Sequence, residues 1–516
     1  MYDSKERYQL HWVMIGIGAL QTLKDVIFPV ALLFGINMMR DGVKQSIIPI
    51  LIMLFFFTAL LFVSFLTSYI RWKRFVYWFE DDELRMEYGL FVRKKRYIPF
   101  ERIQSLDFTE SIFHRPLGLV KINIETASGS GEAEASLAAV SKEAAHAIEV
   151  IVREGKKKVI VQPQLARLTE DGMYEEMPSL QEERVVEKKR EAPRSVFKMS
   201  SKDLLILATT SGGIGVILSG LLLFFSQFSD LIPLEWLAFQ MREFIQSGIT
   251  FVVLVIGVIL LIAWLLSVGW TFLSYARFEV KTDGENIFIT RGLIEKKRVT
   301  VPLKRVQSVE LVENPFRQLF GLCTVTLHSA GGVGDGERLN LFPLVRKKDV
   351  YEPLRRIIPG YTFDEPTRKM PKRGRHFFRR LRYVWILPVI VGMSYYFYPY
   401  GLLTLLLVPL NIAYGWWQHR SAGYDIVDQQ LILRTRSLTL RTMYVQKHRI
   451  QSMTWRQSYF HGRKEIGTLE VYIKSGMFAT VAQAPFIDHE EGERLFEWYD
   501  HSPTIQKELD ASHSVE

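Results

Sequence analysis

The sequence is almost without cysteine, since Cys323 is the single one in 516 residues. No disulfide can close within the chain, and no cysteine-based metal cluster can form. The usual catalytic signatures are missing as well. There is no His-Glu-x-x-His, no Cys-x-x-Cys, no Gly-x-x-x-x-Gly-Lys phosphate cradle and no Gly-x-Ser-x-Gly elbow. The eleven histidines are scattered. Their densest cluster, His489 with Glu490 and Glu491, falls at a helix start, where first-turn charge explains it. These deficits point away from an enzyme and from any cofactor. No RNA- or DNA-binding module is visible, so nucleic acid is not an expected partner despite a net charge of +10. Met1–Arg7 mixes charges of both signs and no small-residue cleavage site follows, so a removable signal peptide is not expected.

What the chain does have is apolar sequence gathered into blocks. Ile47–Phe65 carries no charge across nineteen positions. At 1.5 Å per residue that spans a hydrocarbon layer of roughly 30 Å. The blocks come in pairs: Val26–Met39 with Ile47–Phe65, Leu204–Phe225 with Ile249–Val268, and a third pair within Tyr383–Trp417 punctuated by Pro388, Pro399 and Pro409. Short links within each pair imply helical hairpins that enter and leave on one side. Lys and Arg crowd the long segments: Arg71, Lys73 and Arg74, then Lys188–Arg190, Arg194, Lys198 and Lys202, then eight between Arg368 and Arg382. The hairpin turns hold only Arg40, Lys44 and Arg242. The long segments are therefore expected to be cytoplasmic, on a multi-pass protein of the cell membrane whose first partner is the lipid bilayer.

Lys24 and Asp25 stand at the mouth of the first pair. One reading places them inside the bilayer, where an ionisable pair would be functional. The favoured one lays Leu10–Leu23 along the interface as a lead-in helix, with the span starting after Asp25. In the second pair Ser211, Gly215 and Ser219 follow a small-xxx-small spacing, which suits helix packing.

After each hairpin one pattern returns. Ile98-Pro-Phe-Glu-Arg-Ile-Gln-Ser105 is followed by Phe113 and Gly118. Val301-Pro-Leu-Lys-Arg-Val-Gln-Ser308 is followed by Phe316 and Gly321, and Val445-Gln-Lys-His-Arg-Ile-Gln-Ser452 by Phe460 and Gly467. The serine-to-phenylalanine interval is the same in all three copies. The third departs by replacing the proline with Gln446 and by an insertion of two residues before its glycine. Alternation of Leu106 with Phe108, Val309 with Leu311, and Met453 with Trp455 marks a strand with one buried face. A second strand follows, with inward residues Val120, Ile122 and Ile124, then Cys323, Val325 and Leu327, then Leu469, Val471 and Ile473. Cys323 is thus a core residue by position. Upstream hairpins turn at Asp81–Glu83, Asp283–Glu285 and Asp428–Gln430, and Gly89 and Gly292 lead into basic turns Arg93-Lys94-Lys95-Arg96 and Lys296-Lys297-Arg298. Helix candidates close the copies at Ser136–Arg153, Lys347–Ile357 and His489–Tyr499.

The plan is hairpin plus module, three times over. The first hairpin with its lead-in takes residues 1–70, the first module 71–160 and a linker 161–200. The second hairpin takes 201–272, its module 273–362 and a basic linker 363–382. The third hairpin takes 383–418, its module 419–503 and a tail 504–516. In each module Arg102, Arg305 and Arg449 are expected at a strand end. Gln104, Gln307 and Gln451, beside Ser105, Ser308 and Ser452, are expected to satisfy backbone groups near a bulge. The basic turns could equally meet an anionic leaflet, where each cation contributes about 1 kcal/mol.

The hairpin-then-module order and the Ile/Val-Pro-x-x-Arg-Ile/Val-Gln-Ser segment resemble the YdbT-like group of bacterial membrane proteins with tandem pleckstrin-homology-like domains, together with its smaller YdbS relatives. The resemblance covers nearly the whole chain. It implies membrane α-helical hairpins plus three α+β pleckstrin-homology-like domains, each a bent antiparallel sheet with a C-terminal helix. It also implies a role at the envelope, in protection against membrane-active peptides or membrane stress. By the same analogy a smaller one-hairpin relative, or self-association, would complete the assembly. Two other classes stand beside it: a lipid or peptide transporter, favoured by Lys24–Asp25 alone, and a sensor of bilayer stress.

Overall fold

A computed structural model describes residues 6–22, 48–126, 135–155, 193–211, 219, 249–330, 339–475 and 478–500. Among the described residues twenty-one strands fall into four antiparallel sheets. The first sheet holds β1 (Tyr8–Gln9), β2 (Val76–Glu80), β3 (Glu83–Tyr88) and β4 (Lys94–Pro99) in that order. The second combines β5 (Ile103–Glu110), β6 (Leu119–Thr126) and β7 (Ala135–Ser141) with β8 (Arg194–Lys198), β9 (Glu279–Thr282), β10 (Asn286–Arg291) and β11 (Lys296–Pro302). In the third, β12 (Val306–Glu313), β13 (Leu322–Ser329) and β14 (Leu339–Arg346) join β15 (Arg368–Lys369), β16 (Gly423–Val427), β17 (Gln430–Arg436) and β18 (Leu440–Gln446). The last is β19 (Ile450–Arg456), β20 (Ile466–Ser475) and β21 (Phe478–Asp488).

Each copy therefore contributes four strands, then three strands and a helix. The tight turn at Asp81–Asp82 has both residues at positive φ, 52° and 56°, and Gly284 and Asp428 serve the same purpose in the other copies. Aspartate tolerates this left-handed backbone, so hairpin turns of this hand suit it. Gly89 and Gly292, at φ 133° and 101°, have no such latitude. A Cβ on either would stand 1.9 Å from the carbonyl oxygen of Val92 or Glu295.

The period-two faces are buried as the alternation requires. Leu106, Val120, Ile122, Ile124, Leu137 and Ile148 share one core with Leu84, Met86 and Ile98. Leu469, Val471 and Ile473 share another with Leu433, Val445 and Leu495. The third copy needs one correction. Counted from its serine, Glu465 occupies the position of Gly118 and Gly321, and all three have positive φ (50°, 64° and 62°). Each of their carbonyls accepts the same backbone bond, from Lys142, Lys347 and His489. There is no insertion, and Gly467 stands where Val120 and Cys323 stand. The volume lost there is filled by Trp455, whose ring lies so close that a Cβ on Gly467 would be 2.2 Å away. Small and large have been exchanged across the strand pair, which keeps the core packed.

Two helix boundaries also differ from expectation. Ser136–Ser141 belongs to β7, with the helix running over 142–155, because Leu137 and Ala139 alternate inward and the backbone pairs with β6. The second closing helix is Tyr351–Ile357, while the third, His489–Tyr499, keeps its expected bounds.

Three helices among the described residues are long and apolar enough to cross a membrane, within Leu54–Arg74, Gly257–Tyr275 and Tyr400–Ser421. The first belongs to a helix over Ile48–Arg74, about 40 Å long at 1.5 Å per residue, that ends on Arg71, Lys73 and Arg74. The second belongs to Ile249–Tyr275, and the third joins a 3-10 stretch, Tyr400–Leu406, to the helix Leu407–Ser421, which follows Phe377–Tyr396 in the hairpin.

Beyond the repeats themselves, each hairpin is inserted between two neighbouring strands of one sheet. β1 precedes the first hairpin and pairs with β2 after it, Tyr8 opposite Tyr77. β8 and β9 flank the second and β15 and β16 the third, with Arg194 opposite Thr282 and Arg368 opposite Tyr424. The segments expected as linkers thus end in strands. The chain leaves each sheet and returns to the adjacent strand, so each hairpin begins and ends on one side.

The chain divides into two compact units between Thr300 and Val301, inside the second copy. The reason lies in the sheets. β5 of the first copy pairs with β11 of the second, and β12 of the second pairs with β18 of the third. Sheets and repeats are out of phase by half a module.

Candidate membrane-facing surface

The ends of the hairpins carry the features that could act at a membrane. The helix over Val13–Thr22 packs antiparallel to the end of Ile48–Arg74: Trp72 Nε1 donates to Leu10 O (2.7 Å), Ser64 Oγ donates to Ala19 O (3.2 Å), and Gly18 faces Ser68 Oγ. A helix lying in the interface would cross a spanning helix steeply. This one runs alongside it, which differs from the expected lead-in. Lys24 and Asp25 lie outside the described residues. In the second hairpin Ser211 Oγ meets Thr271 Oγ1 at 3.0 Å and Trp264 Nε1 donates to Thr209 O, so a small polar residue does serve helix contact there. Ser200 caps Ser201–Thr210 by accepting from Asp203 N.

The third hairpin was expected to begin after the basic run, but its first helix starts at Phe377 and takes in Arg379, Arg380 and Arg382. Arg382 clasps the two helices. Its Nε donates to Asn411 Oδ1 (2.7 Å), its Nη1 to Gln418 Oε1 (2.9 Å), and its guanidinium lies 4.3 Å from the Tyr414 ring centroid.

The two basic runs expected as turns are for the most part strands. Lys94, Lys95 and Arg96 lie on β4, in register with Tyr88, Glu87 and Met86. Buried Glu87 takes ion pairs from Arg93 and from Lys95, the latter at 3.4 Å. Burial alone would raise that carboxyl, but the hydrogen bonds and charges of Arg93 and Lys95 outweigh it and hold Glu87 below its ordinary value. Lys296, Lys297 and Arg298 form the start of β11, opposite Glu110, Thr109 and Phe108 of the first copy. Arg298 pairs with Glu149 at 3.2 Å and lies over the rings of Phe108 and Phe288. These cations therefore join copies. Beside them opens a cleft of about 1040 Å³ whose lining includes Arg115, Lys142, Arg153, Lys198, Arg277 and Lys281 against Glu110, Glu149 and Glu279. Lys198 and Arg277 flank the two ends of the second hairpin.

The repeated motif is built into the frame. In all three copies the ladder slips between Ile103 and Ser105, Val306 and Ser308, and Ile450 and Ser452, placing Gln104, Gln307 and Gln451 at a bulge. Gln307 Nε2 donates to Arg305 O. Ser105 Oγ donates to buried Glu125, Ser308 is buried, and Ser452 is exposed. Arg102 lies exposed in its turn, Arg305 ends a short turn, and Arg449 Nη2 reaches across to Lys304 O of the second copy (2.9 Å). Gln446, in place of the proline, donates to Gly360 O at 2.6 Å, also in the second copy. The third module gains a link there. Cys323 is fully buried and its thiol is pushed up to about 12 by burial, with Glu313 adding to the rise. Among the described residues no group of three His, Cys, Asp or Glu side chains could hold a metal ion.

One feature escaped attention in the sequence. The phenylalanine at constant interval from the serine is exposed in every copy: Phe113 at 52%, Phe316 at 70% and Phe460 at 63%. Its turn carries further exposed apolar side chains, Ile112 and Leu117 in the first copy, Leu319 and Phe320 in the second, Tyr459 in the third. Two of these turns sit at the base of the next hairpin. Arg115 hydrogen-bonds the carbonyl of Leu293, whose amide donates to Leu273 O in the last turns of Ile249–Tyr275. Gln318 accepts from Arg436, which also donates to Ser421 at the end of Leu407–Ser421 and lies 4.0 Å from the Trp417 ring centroid. The turns before β4, β11 and β18 add exposed Phe91, Ile294 and Leu438. Constant spacing of Phe with Ser was the available signal.

The family described as "Bacterial PH domain" matches three times, over residues 26–156, 230–358 and 381–502. The chain belongs to this family. It is 34% identical over 490 residues to the "UPF0699 transmembrane protein YdbT" of Bacillus subtilis (strain 168), which covers 93% of this chain and 94% of that protein. The expected fold stands: bacterial PH domains in tandem, with antiparallel sheets, closing helices and membrane helices. In this bacterial PH protein the modules are joined through shared sheets.

Proposed function

We propose that this chain is a non-catalytic envelope protein whose three bacterial PH modules rest on the cytoplasmic leaflet and protect the membrane against membrane-active peptides. The observation that carries it is the recurrent exposed apolar turn, which in two copies sits at the base of the next hairpin. Water-facing turns do not keep Phe113, Phe316 and Phe460 at one interval with Ile112, Leu319 and Phe320 beside them, whereas a headgroup layer covers such side chains favourably. Arg115, Lys142, Lys198 and Arg277, which line the cleft beside the second hairpin, would meet lipid phosphates there. The basic residues flanking the hairpins support the cytoplasmic side. Growth of a strain lacking the protein, compared with its parent across a panel of membrane-active peptides, tests the role. Sensitivity restored by the intact gene is expected, and unchanged growth across the panel refutes it.

A further inference from the structure

Among the described residues, two strands have one neighbour where their counterparts in the other copies have two. β4 of the first copy pairs with β3 alone, and β19 of the third pairs with β20 alone. Their counterparts all have two neighbours: β11 and β18 are each covered by the preceding copy, β5 and β12 by the following one. The difference shows in burial. Ser308, Val309, Glu310 and Leu311 of β12 are buried, while Ser452 and Thr454 of β19 are exposed, and so are Lys94, Lys95 and Tyr97 of β4. An exposed edge strand is a template for further pairing.

Both junctions use one register. Glu110 lies opposite Lys296 and, at the equivalent place, Glu313 lies opposite Leu440. Both use carboxylates from the β5-type strand as well. Asp107 Oδ1 accepts from Thr300 N at 3.0 Å, and Glu310, at the same position in its copy, pairs with Arg441 at 3.5 Å. The third copy departs from this. Aligned on its serine, β19 places Thr454 where Asp107 and Glu310 stand, and Gln457 follows where Glu110 and Glu313 stand. Arg456 replaces Thr109 and Val312, and is held by Glu470 at 2.9 Å. If β19 of a second copy met β4 in the common register, Arg456 would face Lys94, flanked by Arg93 and Lys95, with no carboxylate on the incoming strand. Like charges directly opposite destabilise a strand pair.

We infer that β4 docks the acidic β5-type strand of a separate polypeptide with a module of this same fold, and not a second copy of this chain. The recognised chemistry is a strand placing carboxylates opposite Arg93 and Arg96, adding to the sheet through main-chain hydrogen bonds. The inference stands on sheet pairing and is independent of how the turns meet the bilayer.

The test uses the full chain in its own membrane, with Tyr97→p-benzoylphenylalanine as a photo-crosslinking probe on β4. The expected product joins residue 97 to a strand of a different protein of this fold, with carboxylates in the facing positions. Arg96→Glu, at a position facing an incoming carboxylate, should lower its yield about tenfold or more, since it sets like charges directly opposite. Thermal unfolding of the purified variant serves as the folding control. A crosslink between residue 97 and 450–457 of another copy overturns the inference. So does the absence of any protein adduct, an adduct to a protein without this fold, or a yield indifferent to the charge reversal in a folded variant.

Discussion

The exposed turn of the second module offers the sharpest prediction. Phe316, Leu319 and Phe320 are 70%, 81% and 72% exposed. Covering a Leu or Phe side chain fully contributes about 2 kcal/mol, so three quarters of that surface corresponds to about 1.5 kcal/mol for each residue. Phe316→Ser with Leu319→Ser would then remove about 3 kcal/mol of contact with the bilayer while leaving the buried cores unchanged. The position itself can be measured first. Leu319→Cys, labelled with an environment-sensitive fluorophore, reports depth in vesicles containing nitroxide lipids. Cys323 does not compete for the label, being buried with its thiol pushed up to about 12. Strong quenching by nitroxides near the headgroups is expected at 319. A label at Glu285→Cys serves as the reference, because that residue lies in the β9–β10 turn, about 20 Å along β10 from the hairpin end. Equal and weak quenching at both positions would refute the reasoning.

Other outcomes follow from single interactions. Arg382→Ala should destabilise the third hairpin by about 1.5–3 kcal/mol, the range for hydrogen bonds to a charged group, read from unfolding in detergent. The carboxyls of Glu87, Glu365 and Asp425 all titrate below their ordinary values in the fold. For Glu365 the Lys347 hydrogen bond is the main cause; for Asp425, Thr367 overcomes the burial that would raise it. A depressed carboxyl stabilises the fold above its unfolded value, and that stability is lost as pH falls through the folded one. Thermal midpoints should therefore hold steady above about pH 5 and drop below about pH 4. Cys323 should resist a thiol reagent at pH 8 in the folded protein and react fully once unfolded; reaction at a free-thiol rate in the fold would contradict its core position.

Much of this architecture is legible in the residues. Apolar blocks locate the hairpins, and strict alternation in Leu106–Phe108 or Val120–Ile124 locates strands and their buried faces, because side-chain direction follows backbone period. β7 was misread because Ala135–Ser141 is alanine-rich, and its strand form depends on pairing with the preceding strand β6, which local composition does not report. Gly467 misled the alignment of the third copy, since backbone sign at Glu465 matters more than the identity of a nearby glycine. The basic runs were legible as charge but not as strands; the first meets Glu87 of its own copy, while the second meets Glu149 and Glu110 of another.

Composition and repetition alone determined that this is a membrane protein with three copies of one β-rich module, because hydrophobic length and period are local properties of the chain. Which strand edges meet was decided only by tertiary structure. A backbone edge offers the same N–H and C=O groups whatever its side chains, so sequence identity among copies is silent on pairing. The fold pairs them one copy out of step, sets two of the exposed turns each at a hairpin end, and leaves β4 and β19 each with one side open among the described residues.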